Sequence, residues 1–128
     1  MLQLCYISTA RPGVDRAAIE AILAASRRNN AAAHVSGVLL YNGKRFLQLL
    51  EGPEAAVRAT FARIGADPRH FALVKLSEHA VDAREFGAWD MAYETLLLDR
   101  AGVRDRIEQL TRGASANLRS LFTSYAAI

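Results

Sequence analysis

Cysteine is almost absent from this chain, which has one, Cys5, among 128 residues. A single cysteine excludes an internal disulfide and a multi-cysteine metal site. No apolar run approaches the roughly 20 residues of a membrane-spanning helix. The start, MLQLCYIS, is too short and too uncharged for a signal peptide. These absences predict a soluble cytoplasmic protein that does not enter a membrane.

The excess of charge of one sign is also small, because 16 basic and 13 acidic residues leave a net charge of only +3. The arginines are scattered, which gives little support to nucleic-acid binding. His34, His70 and His79 lie far apart without metal-ligand spacing, so we expect no metal site. What is present is a hydrophobic content of 52%, enough for one globular domain.

The hydrophobic pattern predicts the element order βαββαββ, followed by two short helices. The predicted strands span residues 2–8, 34–41, 45–51, 71–78 and 88–94. The predicted helices run from the Asp15 cap to about Arg28, from Pro53 to about Ile64, and over 99–111 and 115–127.

This order favours an α+β, ferredoxin-like sandwich with both crossover helices on one face of the sheet. Asn42-Gly43 predicts a hairpin between the second and third strands. The opposite sheet face is too apolar for water. We therefore expect the C-terminal helix pair, or a second subunit, to cover it.

Gln48 lies within the apolar strand of the motif FLQLLEGP. A buried amide costs about 1–3 kcal/mol unless it is paired. Tyr6 falls on the same helix-facing side, and the first and third strands are central neighbours in this fold, so we expect the two side chains to meet. Taken alone, this pattern is typical of an internal hydrogen bond that fixes strand register.

Other polar groups are predicted near this pair. Asn29 and Asn30 follow the first predicted helix, where they are equally well interpreted as helix-ending residues. The fifth strand is expected to border the first and to bring Trp89 and Met91 near the same layer.

Several motifs in order along residues 2 to about 95 resemble the BLUF family of blue-light sensors using flavin. These motifs are Tyr6 with Ser8, SRRNN at 26–30, Ser36-Gly37 with Leu39 and Leu40, FLQLLEGP, Asp67 with Arg69-His70, and Arg84 with Phe86, Trp89 and Met91. The resemblance implies non-covalent binding of FAD between the two crossover helices. It implies that the residues that contact this cofactor are Ile22, Ser26, Asn29, Asn30, Phe46, Gln48, Arg63, Ile64, Asp67 and His70.

The resemblance also implies roles. Asn30 would hydrogen-bond the carbonyl and imide edge of the flavin, and Gln48 its N5 and C4 carbonyl side. Tyr6 would supply an electron and a proton to the excited flavin through Gln48, whose altered hydrogen bonds would store the signal. Trp89 and Met91 would be the mobile readout on the fifth strand.

By the same resemblance, residues 1–96 form the photosensor domain and residues 97–128 a helical pair for capping, output or self-association. The chain is expected to be a short, non-enzymatic, homo-oligomeric member that signals through a separate effector protein. It departs from the family pattern at Cys5, at His34-Val35-Ser36-Gly37 and at Pro68, but none of these changes removes a residue that the photochemistry needs.

Three other functions fit the predicted fold. An acylphosphatase-like hydrolase could use Arg11, Gly13 and the Asn-Asn pair, and a ligand-binding regulatory domain is the second alternative. No glycine-rich anion loop opens the first helix, however. An RNA-recognition domain of this topology would place aromatic residues on the open sheet face, which is aliphatic here.

Overall fold

The computed structural model describes residues 1–41, 43–84, 92–95, 105, 108–109, 111–112 and 114–126. The helices and strands in chain order are β1 (Leu2–Ala10), α1 (Arg16–Ala33), β2 (Ser36–Tyr41), β3 (Arg45–Gly52), α2 (Glu54–Gly65), β4 (His70–Ala80), β5 (Ala92–Thr95) and α3 (Ala116–Ala126). No helix in this part of the chain is long and apolar enough to cross a membrane.

The five strands form one sheet in the order β4-β1-β3-β2-β5. β1 is antiparallel to both of its neighbours, and β2 and β3 form the predicted antiparallel hairpin. The first four strands thus have the arrangement of a ferredoxin-like sandwich, which confirms the predicted fold class. β1 and β3 lie side by side at the centre of the sheet, as expected.

The predicted position of the fifth strand is wrong. β5 is described over Ala92–Thr95 and pairs in parallel with β2, at the edge away from β4. β1 already forms ladders with β3 on one side and β4 on the other, so neither of its edges is open to a further strand. Trp89 and Met91 lie outside the described residues.

The predicted end of the first helix is also wrong. α1 begins at the Asp15 cap and continues to Ala33, where His34 adopts the left-handed conformation (φ 59°) that ends it. Alanine is the best helix former, and three alanines follow Asn30. Asn29 and Asn30 therefore lie inside the helix and do not end it.

The helix-facing side of the sheet packs against α1 and α2. The buried apolar residues of this layer are Leu2, Leu4, Tyr6, Ile19, Leu23, Val35, Leu39, Tyr41, Phe46, Leu50 and Val57. Alternate residues of β1 and β3 enter this layer, because strand side chains point to opposite faces in turn. This alternation puts Tyr6 on the helix-facing side, as the sequence predicts.

The outer side of the sheet packs against α3. Its buried residues are Cys5, Val38, Leu40, Leu47, Leu49, Leu118, Phe122 and Tyr125. The Tyr125 hydroxyl also donates a hydrogen bond of 2.7 Å to the carbonyl oxygen of Arg45. The second predicted C-terminal helix therefore covers this face. The first lies mostly outside the described residues, although positions 105, 108 and 109 are helical.

Candidate functional site

A pocket lies between α1 and α2 on the helix-facing side of the sheet. Tyr6 lines it together with all ten residues predicted to contact a cofactor. The full lining is Tyr6, Ile22, Ala25, Ser26, Asn29, Asn30, Leu39, Phe46, Gln48, Thr60, Arg63, Ile64, Asp67, Arg69 and His70. The fold thus brings together residues that are up to 64 positions apart in the sequence.

Helical spacing explains how each helix presents one face to this pocket. On α1, Ile22, Ser26 and Asn29 recur every three or four residues, and residues with that spacing share a helix face. On α2, Thr60 lies one turn before Ile64 on the same face.

Four lining residues were not predicted to contact the cofactor, although Leu39 and Arg69 belong to the quoted motifs: Ala25, Leu39, Thr60 and Arg69. Helical spacing from Ile64 was the available signal for Thr60. Leu39 is the cross-strand partner of Gln48, a relationship that becomes visible only once the strand register is known.

Tyr6 and Gln48 are directly paired across β1 and β3. The Tyr6 hydroxyl donates a hydrogen bond to Gln48 Oε1, and each residue is only 3% exposed. Burial, with smaller contributions from Cys5 and Asp67, raises the pKa of the Tyr6 hydroxyl. The phenol therefore stays neutral to higher pH than an exposed tyrosine does.

Asn30 places an unpaired donor in the pocket. Its side chain is buried, and its Nδ2 has no hydrogen-bond partner within the described chain. A buried polar group without a partner costs about 1–3 kcal/mol. An acceptor oxygen on a bound molecule would remove this cost, so Asn30 indicates a ligand with a polar edge.

Asp67 and Arg69 form an ion pair in the loop after α2. Arg69 Nε lies 2.9 Å from Asp67 Oδ1, and the Arg69 backbone N–H donates to the same oxygen at 2.9 Å. The side-chain hydrogen bond from Arg69 lowers the pKa of Asp67. The pair places an ionised carboxylate and its neutralising guanidinium in the pocket wall.

His70 completes the wall next to Tyr6. Its ring nitrogens lie 2.8 Å from Ser8 Oγ and 2.7 Å from the carbonyl oxygen of Ile64. The rings of Tyr6 and His70 meet edge-on with their centroids 6.4 Å apart. Phe61 approaches Tyr6 at 5.6 Å. Two ring contacts thus support the position of Tyr6 in addition to its hydrogen bond.

Comparisons with known proteins agree on one family. The model of the BLUF family, described as sensors of blue light using FAD, matches residues 1–92. The blue light- and temperature-regulated antirepressor BluF of Escherichia coli (strain K12) is 40% identical over 84 residues, 66% of this chain and 21% of that protein. The photoactivated adenylate cyclase subunit beta of Euglena longa is 33% identical over 112 residues, 85% of this chain and 13% of that protein. The chain therefore spans only a small part of either relative.

Solved structures give the same result. The dark-state structure of BlrB, a BLUF protein, matches with a TM-score of 0.79 and 33% identity, and covers 98% of this chain and 95% of BlrB. Klebsiella pneumoniae BlrP1 with FMN and cyclic diGMP matches with a TM-score of 0.85 and 30% identity, over 99% of this chain and 35% of that one.

Proposed function

Because the chain belongs to the BLUF family of sensors of blue light using FAD, we propose that Tyr6 and Gln48 are the photochemical switch of this protein. The domain is a light sensor rather than an enzyme, and its cofactor is FAD. The hydrogen bond from the Tyr6 hydroxyl to Gln48 Oε1, buried in the pocket between α1 and α2, is the observation that supports this proposal.

The pocket residues fit a flavin. The isoalloxazine ring has a flat, largely apolar face and an edge of carbonyl and imide groups. Asn30 supplies a buried donor without a protein partner in the described chain, which suits the polar edge. Ile22, Phe46 and Ile64 line the pocket and would supply apolar contacts for the ring face. Ser26, Asn29, Arg63 and Asp67 line the same pocket and would complete the binding site.

When bound, FAD absorbs blue light and becomes a strong oxidant. Tyr6 is suited to respond, because a phenol can give up an electron together with its hydroxyl proton. That proton is on the oxygen before illumination, and the raised pKa of Tyr6 extends this protonated state to higher pH. Gln48 Oε1 already accepts the hydrogen bond from this hydroxyl, so it is the first acceptor for the proton.

Gln48 stores the change because its amide has a donor end and an acceptor end. In the structure, Oε1 faces the Tyr6 hydroxyl. If the amide rotates or changes tautomer, a donor replaces that acceptor and the hydrogen bond to Tyr6 reverses. The amide is paired in both arrangements, so neither carries the cost of an unpaired buried group. Such an exchange is a local event that can bias a two-state element.

The output route of this proposal follows the sheet. Gln48 is the cross-strand partner of Leu39 in β2, and Leu39 is the partner of Tyr93 in β5. On the outer face, Leu47 and Leu49, the neighbours of Gln48 in sequence, belong to the cluster that includes residues of α3. A change at Gln48 thus has a path through paired strands to β5 and a path through packed side chains to α3.

We extend the proposal to the signalling partner. Residues 97–128 would form the output and self-association segment, acting on a separate effector protein, with Trp89 and Met91 as the readout next to β5. The relatives named an antirepressor and an adenylate cyclase support coupling of such a domain to different effectors.

Absorption spectroscopy of the purified chain tests the proposal. The protein should be yellow with bound FAD, and blue light should cause a red shift that reverses in the dark. A chain that stays colourless after FAD is added would overturn the flavin site. If flavin binds but no reversible shift appears, the assignment of Tyr6 and Gln48 as a switch is wrong.

A further inference from the structure

Ser8 and His70 form a hydrogen-bonded pair that the proposed photochemistry does not use. We propose that this pair is a positioning device that fixes the His70 tautomer and holds the end of α2 against β1. In this role His70 lines the flavin pocket with ring carbons and offers neither ring nitrogen to the cofactor. The effect on FAD binding rests on the proposed function, whereas the tautomer does not.

The hydrogen-bond partners determine the tautomer of His70. Its Nε2 lies 2.7 Å from the carbonyl oxygen of Ile64, which can only accept, so Nε2 carries the hydrogen. In the neutral ring Nδ1 is then an acceptor, and the Ser8 hydroxyl donates to it across 2.8 Å. Ser8 is 1% exposed, so water does not compete for this contact. Both ring nitrogens are therefore occupied by the protein.

The Ile64 carbonyl lies in the last turn of α2. The last four carbonyls of a helix have no partner within it. His70 supplies one donor to this oxygen, and the backbone N–H of Asp67 supplies another at 3.0 Å. Both Ile64 and Asp67 line the pocket. The two hydrogen bonds that fix the position of this carbonyl therefore also fix one wall of the proposed flavin site.

Ser8 connects the same wall to the switch strand. It lies two residues after Tyr6 in β1, so both side chains are on the helix-facing side. The chain of contacts runs from Ser8 through the His70 ring to the Ile64 carbonyl. The pair thus fixes the distance between β1, which carries Tyr6, and α2, which lines the proposed flavin pocket.

Nitrogen-15 NMR of the histidine-labelled full chain with FAD, in the dark, tests the tautomer. A His70→Gln variant identifies the His70 signals among those of His34 and His79. We expect Nε2 to carry the hydrogen and Nδ1 to be an unprotonated acceptor. The opposite tautomer, or a ring exchanging between both, would overturn the pairing. The tautomer can be read even in a chain that binds no FAD, so this result is independent of the flavin proposal.

Affinity measurements test the positioning role. Ser8→Ala and His70→Gln each remove the Ser8–His70 hydrogen bond, while glutamine can keep a donor to Ile64. Each should weaken FAD binding by roughly 3- to 10-fold, the usual worth of one hydrogen bond. The double variant should be no weaker than the weaker single variant, because both remove the same contact.

Two comparisons complete the test. The light-induced shift per bound FAD should stay unchanged in Ser8→Ala, since Ser8 does not line the pocket in the described part of the chain, and Ser77→Ala, on the outer-face side of β4, should leave the affinity unchanged. Wild-type affinity in both single variants would refute the proposal. So would a lost light-induced shift with normal affinity, since that result would place the pair in the photochemistry.

Discussion

Tyr6 and Gln48 occupy directly opposite positions of β1 and β3, and the hydroxyl of the first donates a hydrogen bond to the amide oxygen of the second. Strand register fixes this relationship. A slip of one residue would turn Gln48 to the outer face, among the apolar residues that pack on α3. The two apolar faces of β3 thus determine where the proposed switch lies.

The first prediction concerns the Gln48 amide. Gln48→Leu should abolish the light-induced red shift while FAD still binds, because leucine keeps the bulk and removes both hydrogen-bonding ends. Difference spectra before and after blue light measure this effect. Gln3→Leu is the matched control, since Gln3 is also a buried amide but pairs with Glu51. It should lower stability and keep the shift. A reversible shift that persists in Gln48→Leu contradicts the proposed role.

The second prediction concerns the Tyr6 hydroxyl. Tyr6→Phe should bind FAD and lose the reversible shift, because the ring remains and the proton donor is gone. Transient and steady-state spectra after a blue pulse report the loss. Tyr41→Phe should respond as the unaltered chain does. Tyr41 belongs to the same buried cluster, and it is not among the described residues that line the pocket. A reversible shift in Tyr6→Phe as large as that in Tyr41→Phe would exclude Tyr6 as the donor.

The third prediction uses the unpaired Nδ2 of Asn30. Asn30→Ala should reduce FAD affinity about tenfold, by loss of one hydrogen bond to the ligand. In the absence of FAD, loss of the Nδ2 donor should not lower the free energy of unfolding, because that donor is a buried group without a partner in the described chain. Titration with FAD and denaturation without it measure the two quantities. Asn117→Ala, in α3, serves as the control and should leave affinity unchanged. An unchanged affinity in Asn30→Ala would show that the donor does not face the ligand.

The fourth prediction is a loss of stability at high pH. Burial raises the pKa of the Cys5 thiol from 9.0 to about 12. Above pH 9.0 the unfolded chain therefore releases this proton while the folded chain keeps it. The free energy of unfolding should then fall as pH rises, with a limiting slope of about 1.4 kcal/mol per pH unit for this group.

Cys5→Ala should remove the contribution of this one proton from the slope, whatever its effect on the absolute stability. Tyr6, whose pKa burial also raises, should add a further decline at higher pH in both proteins. Urea denaturation between about pH 8 and about pH 10.5 covers the range where the two slopes should separate. Identical slopes would show that the thiol is not held neutral by the fold.

The fifth prediction concerns the packing of α3 on the sheet. Phe122 is fully buried in the outer cluster, so Phe122→Ala should cost about 3–5 kcal/mol of unfolding free energy. Thr123→Ala, at the exposed neighbouring position, should cost far less. Denaturation followed by the fluorescence of bound FAD reports on the pocket. If Phe122→Ala left the pocket stability unchanged, α3 would be a separate folding unit.

Much of the fold follows from local pattern. The period of two in β1 and β3 places Tyr6 in the helix-facing layer, and the hairpin signal before β3 sets its antiparallel partner. The outer apolar face predicted a cover, either the C-terminal helix pair or a second subunit, and α3 packs there with Phe122 buried. The predictions of strand alternation and of the hairpin succeed because each depends on a pattern within a few residues.

Other features depend on contacts between elements that are distant in the sequence. The position of β5 was wrong because only the assembled sheet shows that both edges of β1 are taken. The end of α1 was wrong because asparagine is typical of helix ends, whereas Asn30 is buried inside the helix. The contact between Ser8 and His70 joins residues 62 positions apart, and no local pattern reports it.

Cross-strand partners form a row across the sheet from Tyr6 through Gln48 and Leu39 to Tyr93. The row ends at β5 (Ala92–Thr95), which is the edge strand of the sheet in the described part of the chain. Strands that are paired on one side only open locally at a lower free energy than central strands. Backbone amides of β5 should therefore exchange with solvent deuterium faster than those of β3. Light that reverses the Gln48 hydrogen bond should change the exchange rate at β5 first, which makes this edge the most sensitive reporter of the switch.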